Sequence, residues 1–206
     1  MDLKVVRSKF KKDYLILMKL LEERIKPPKL HEFSNKLIFP YNVTLGAIYI
    51  PYDKTIYIYK DLPREIEKLV NNPSAQEFLL DFVLLEEACH YLHHHYLQEN
   101  YLSMFNATRN YKPNLRLVKN ENDVEELMKK DEIVKYRVWM EGLAKSIALQ
   151  TCCKKYRLNL EYVMQLIRRN RIDDPLSVID LYAIDKFIFK NLTELKTTLQ
   201  SRCILI

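Results

Sequence analysis

The sequence predicts an α+β fold, mainly helical, with a small antiparallel sheet or hairpin ahead of a long buried helix. Three observations carry that expectation. Ala47-Ile48-Tyr49-Ile50 and Thr55-Ile56-Tyr57-Ile58-Tyr59 are rich in β-branched and aromatic residues and flank the turn-like Pro51-Tyr52-Asp53-Lys54. From Leu62 onward the apolar residues follow helical spacing. The order is helix, small sheet, then helices, which suits segregated α and β elements rather than a parallel α/β sheet. The chain has 206 residues, 48% of them hydrophobic, enough for one domain with a real core. We expect a single domain over 1–206, made of an N-terminal amphipathic helix at 1–28, a core at 37–152 and C-terminal helices at 153–206.

The first helix is expected over 3–26, with Leu3, Val6, Phe10, Leu17 and Leu21 on one face and Pro27-Pro28 as its stop. The sequence changes character over 37–60, where the hairpin falls. Asn72-Pro73-Ser74 interrupts the helical pattern that starts at Leu62, and Ser74 with Glu77 has capping-box spacing for a long helix over 75–98. Residues 106–118, with Asn106, Asn110, Pro113 and Asn114, read as an irregular loop. Helices are then expected near 121–131, 132–152 and 158–169. Asp174-Pro175 starts another through about Asn191, with proline at an early position, and a short one follows over 193–201. No internal repeat or low-complexity segment is visible.

The formal net charge is +6. Residues 1–26 hold eight Lys/Arg against four Asp/Glu, which reads as a solvated helix face or a surface for an acidic partner. No basic-aromatic pattern of an RNA-binding sheet appears, so nucleic acid is not an expected partner. No stretch reaches the ~18 apolar residues of a membrane span. The charged N-terminus lacks the apolar segment of a signal peptide, and the expected location is cytoplasmic. None of the four cysteines (Cys89, Cys152, Cys153 and Cys203) forms a Cys-x-x-Cys pair, so they read as reduced, packing thiols.

The chemistry is concentrated in two segments. Glu86-Glu87-Ala88-Cys89-His90 interrupts the apolar run Phe78–Leu85, whose own exception is Asp81. A helix apolar all round belongs in a core, where charged groups must be paired or bound to a metal. Glu86 and His90, spaced i, i+4, share a face. The second segment, Trp139-Met140-Glu141-Gly142-Leu143-Ala144, holds the only tryptophan and the second of two glycines. A glycine inside a helix costs about 1 kcal/mol relative to alanine, and its use beside a carboxylate suggests close approach to the backbone. Ala144 and Ala148 near the same stripe would let a second helix pack tightly.

Together the two segments resemble the gluzincin metallopeptidases, zincins with a His-Glu-x-x-His helix, in their minimal single-domain form. In that family a downstream helix supplies a glutamate ligand, and an extended strand pair ahead of the first helix borders the substrate cleft. The resemblance covers roughly 43–150 and implies a zincin-like core within 37–152. It implies Glu87 as the general base, His90 as a zinc ligand and Glu141 as the glutamate ligand. At position 86 the family has histidine and this chain has Glu86. The implied activity is metal-dependent peptide-bond hydrolysis on a peptide or protein substrate, with the hairpin 47–59 pairing with an extended peptide.

On their own chemistry, Glu86, His90 and Glu141 would make a metal site of two carboxylates and one imidazole. Carboxylate is an accepted zinc ligand, and so oxygen-rich a set suits manganese or iron as well. The extra negative ligand weakens the ion as a Lewis acid. The alternative is that Glu86, Glu87 and His90 form a metal-free polar cluster satisfied by Arg137 or Lys135, in a binding protein that keeps the peptidase fold. His93 or His94 reads either as a substitute ligand, one turn along, or as part of a polar helix end. Glu87-x-x-His90 alone is half of a ferritin-like di-iron motif, and no second copy exists. Cys89 lies about 100° around the helix from His90 and reads as core.

Overall fold

An apolar stripe sets the first helix. α1 (Leu3–Leu20) buries Val6, Phe10, Tyr14 and Leu17 and turns Lys4, Lys11 and Lys12 outward. The computed structural model describes residues 3–34, 46–109, 118–169 and 175–201. The chain divides into two compact units, 1–91 and 92–206. In the first unit α1 stops short of the expected residue 26, because Glu22 takes φ 53°, a left-handed conformation that cannot continue a right-handed helix.

The chain then forms a strand that its sequence hides. β1 (Lys29–Phe33) buries Leu30 and little else. It runs parallel to β3 (Thr55–Tyr59), with Lys29 opposite Thr55 and Phe33 opposite Tyr59. β2 (Ala47–Ile50) pairs antiparallel on the other side of β3, with Ala47 opposite Ile58. The sheet of described residues is therefore mixed, in the order β1-β3-β2, and larger than the antiparallel hairpin alone. Lys54 at φ 54° closes the turn, and Asp53 Oδ1 accepts the Thr55 N–H at 3.1 Å. Tyr59 N–H donates to Gly46 O at 2.9 Å. Hydrogen bonding alternates along an antiparallel pair, so the amides of Ala47 and Tyr49 face away from β3.

α2 (Leu62–Leu69) leads to α3 (Pro73–Leu97). The cap of α3 is Asn72 rather than the Ser74–Glu77 box: Asn72 Oδ1 accepts the N–H groups of Ser74 and Ala75 at 2.9 and 3.1 Å. Pro73, with no N–H to satisfy, fits the first helical position, which places the cap one residue ahead of it. Asp81, fully buried, accepts from Lys9 Nζ of α1 at 2.5 Å, and Lys9 lies 3.8 Å from Asp13.

In the second unit the last turns of α3 end at Gln98, φ 48°, and α4 (Glu99–Arg109) follows at once. Residues 106–109 are thus helical rather than loop, and the rest of that expected loop, 110–117, lies outside the described residues. α5 (Glu121–Lys130) is closed by an Asn120–Asp123 capping box. α6 (Glu132–Tyr156) is capped by Asp131 and ends at Arg157 in a left-handed conformation. α7 (Leu160–Arg169), α8 (Pro175–Phe187) and α9 (Leu192–Gln200) complete the unit.

α6 and α8 are the tightest pair in this unit. A Cβ built on Gly142 would lie 2.3 Å from Ala183 O, so the glycine exists because the α8 backbone occupies its side-chain space. Further along, Ser146 Oγ donates to Ile184 O at 3.3 Å, and buried Gln150 Nε2 donates to Ile188 O and Lys190 O at 2.7 and 2.8 Å. Val124, Val134, Val138, Val178, Ile179 and Ala183 form an apolar cluster beside this contact. Among the described residues, no helix is long and apolar enough to cross a membrane.

Two outcomes are expected. Gly142→Ala forces a methyl group against a backbone carbonyl and should destabilise the protein by about 1–3 kcal/mol in chemical denaturation. Lys9→Met leaves the Asp81 carboxylate buried beside an apolar side chain and should cost roughly 3 kcal/mol. Adding Asp81→Leu to that variant should restore part of the loss, the remainder reflecting buried Asp13, which Lys9 also faces; a thermal melt of the double variant reads the recovery.

Candidate metal centre

Helical spacing assembles most of the centre. Glu86 and His90 sit one turn apart on α3, and His90 is buried, with 7% of its surface exposed. Glu87, the next residue, projects about 100° around the helix toward the sheet. Its Oε2 accepts the outward-facing N–H of Tyr49 on β2 at 2.6 Å. Tyr49 and Tyr91 meet edge to face, with ring centroids 5.8 Å apart. Burial raises the Tyr49 phenol far above its ordinary value, with Tyr91 and Asp53 adding to the shift. Burial also raises Tyr91, so both rings stay neutral donors at neutral pH.

On the last turns of α3, His93 is fully buried and stacks on Trp139 of α6, with ring centroids 5.0 Å apart and planes 18° apart. Trp139 is two residues ahead of Glu141. Glu86, His90 and Glu141 each offer a ligand atom, and these atoms lie within 4.8 Å of one another. Donors about 2.0–2.2 Å from a common ion must lie within roughly 4.4 Å of each other. In a tetrahedral site the donors lie closer, about 3.3–3.6 Å apart, so these side chains would close by up to about an ångström around an ion. One imidazole and two carboxylates are a competent donor set for a divalent ion. These residues could hold a metal ion.

Glu141 has a further partner. Its Oε2 accepts from Lys145 Nζ at 2.7 Å, and the same ammonium group lies 3.2 Å from Asp180 Oδ2 on α8. Arg137 and Lys135 are the cations the sequence offers to Glu86, Glu87 and His90. The structure puts Lys145 on Glu141, and Arg137 Nε is buried with no hydrogen-bond partner among the described residues. Lys145 was legible in principle, since it stands four residues after Glu141 on one helix. Asp180 had no local signal.

The remaining candidates lie outside that cluster. His93 lies against Trp139, and among the described residues the ligand cluster contains His90 as its histidine. His94 stacks on Tyr101 at 5.3 Å and is 8% exposed, while His95 on the same helix end is exposed. Cys89, Cys152 and Cys153 are buried thiols, and burial pushes the Cys153 thiol up to about 11. Cys203 lies outside the described residues. In comparisons with family models, curated proteins and solved structures, nothing matches the chain.

If position 86 is a ligand position, Glu86→His exchanges a carboxylate for the neutral imidazole that zinc, a borderline-soft ion, prefers. Calorimetric titration should then show tighter zinc binding by Glu86→His than by wild type. Equal or weaker binding would remove Glu86 from the ligand set.

Proposed function

We propose that the chain is a zincin-like protein of the metallopeptidase type, with a modified metal centre at Glu86, His90 and Glu141. The observation that carries this reading is the convergence of those three side chains within 4.8 Å. Zinc, manganese and iron all suit the donor set. A divalent ion bound there supplies Lewis-acid chemistry toward a peptide carbonyl or a water molecule. The protein's own residues do the rest. Glu87, beside the ligands on α3, takes a proton from water and returns it to the leaving amine. The hairpin 47–59 would align an extended peptide by strand addition once Glu87 leaves the Tyr49 N–H. The burial of His90 keeps its imidazole fixed for coordination.

A second reading is a non-catalytic binding protein that keeps this fold. One observation favours it: Glu87 Oε2 is already engaged by the Tyr49 N–H at 2.6 Å. In that case the carboxylate serves as a clamp between α3 and the sheet edge rather than as a base.

Glu87→Gln separates the two. The amide keeps the size and hydrogen-bonding reach of the carboxylate but accepts no proton from water. As a hydrolase, the variant should lose about 10²–10⁴ in rate while keeping metal affinity and melting temperature close to wild type. The assay is cleavage of a diverse peptide pool with zinc, manganese or cobalt added. A wild type that cleaves nothing under any metal selects the binding protein, and cleavage that survives Glu87→Gln places the activity elsewhere.

A further inference from the structure

We propose that Lys145 sets the charge of the metal centre, and that Asp180 sets how much of that charge reaches Glu141. This inference rests on the reading of Glu86, His90 and Glu141 as ligands to a divalent cation.

Three observations support it. Lys145 Nζ is in hydrogen-bond contact with both carboxylates, at 2.7 Å from Glu141 Oε2 and 3.2 Å from Asp180 Oδ2. Its side chain is the most buried of the three, 14% exposed against 27% and 30%, so bulk solvent screens it least. The other oxygen of Asp180, Oδ1, is buried with no hydrogen-bond partner among the described residues, which leaves Lys145 as the group this carboxylate addresses. The arrangement is also fixed in place. Gly142 holds α8 against α6 at Ala183, about one helical turn after Asp180.

The chemistry follows from the charge that Glu86 brings. A ligand set of two carboxylates and one imidazole carries one more negative charge than a set with two imidazoles. An ammonium group bonded to one ligand oxygen draws electron density away from the ion and also repels it. Both effects weaken binding, and both leave the ion with more of its own positive charge. Lys145 thereby offsets the extra carboxylate at position 86. Asp180 opposes it by holding part of the ammonium charge away from Glu141. Lys145 is a positioning residue here, acting through Glu141.

The plain alternative is an ion pair that joins α6 to α8 and does nothing else. The two accounts differ in sign. If the contact is only structural, removing either partner damages the same bridge and shifts metal affinity in the same direction. If Lys145 tunes the centre, the two removals act oppositely. The experiment is calorimetric titration of cobalt or zinc into the full chain as wild type, Lys145→Met, Lys145→Gln and Asp180→Asn, at one pH, with folding checked by circular dichroism. Lys145→Met and Lys145→Gln should bind about tenfold tighter, because a unit charge facing a divalent ion is gone. Asp180→Asn should bind about threefold more weakly, because the ammonium charge is then uncompensated. Unchanged affinity in the lysine variants, or a shift of the same sign in the lysine and aspartate variants, overturns the inference while leaving the metal centre standing. No binding by wild type overturns the metal centre and this inference with it. If both lysine variants fail to fold, Asp180→Asn alone decides: no weakening sinks the proposal.

Discussion

An ionised carboxylate inside an apolar helix has to be answered by a donor or a cation, and α3 is built around that constraint. Asp81 sits fully buried in the run Phe78–Leu85 and is answered by Lys9 from α1. Glu87 is answered by the amide of Tyr49 at the edge of β2. Each solution draws a different element of the first unit onto the same helix. The basic character of α1 thus has an interior use as well as a solvated face. Lys9 turns inward to Asp81 while Lys4, Lys11 and Lys12 stay exposed. A deletion of α1 would therefore remove both apolar packing and the countercharge of a buried carboxylate.

α6 applies a different constraint to the second unit. Its small residues decide how near α8 can come, and Gly142 marks the closest point. Once two backbones are that close, side chains on either side of the contact are fixed in register. Ser146 and Gln150 reach the carbonyls at the end of α8 and just beyond it, and Lys145 reaches Asp180. The glycine beside Glu141 therefore acts by admitting a helix. A substrate or ligand at that backbone is not required to explain it.

What could be read from the sequence divides along lines of range. The β2-β3 hairpin was legible because both strands and the turn lie within thirteen residues, and β-branched residues mark it. β1 was not, because Leu30 and Phe33 alone among its five residues are apolar and its partner in the sheet is parallel and distant in sequence. Asn72 and Ser74 both have capping side chains, and only the position of Pro73 decides between them. Glu86 and His90 declare themselves by i, i+4 spacing on an apolar helix, and Glu141 by the sequence around it. Lys145 has the same spacing from Glu141, yet such pairs are ordinary on helix surfaces and worth only a few tenths of a kcal/mol there. Its significance comes from burial and from Asp180, which lies 35 residues away.

Charge also bears on whether the cluster holds a metal or stays empty of one. Glu86 and Glu141 present carboxylate oxygens within 4.8 Å of each other, and Asp180 adds a third carboxylate through Lys145. Lys145 bonds Glu141 and Asp180. Like charges at that separation repel strongly in a partly buried site, and a cation between them relieves the repulsion. His90 contributes a borderline nitrogen donor on the same helix face as Glu86, a donor that suits a transition metal. Oxygen donors with one imidazole suit zinc, manganese or iron alike. That combination separates this cluster from a closed structural zinc site, where four tight nitrogen or sulfur ligands leave no position open for chemistry.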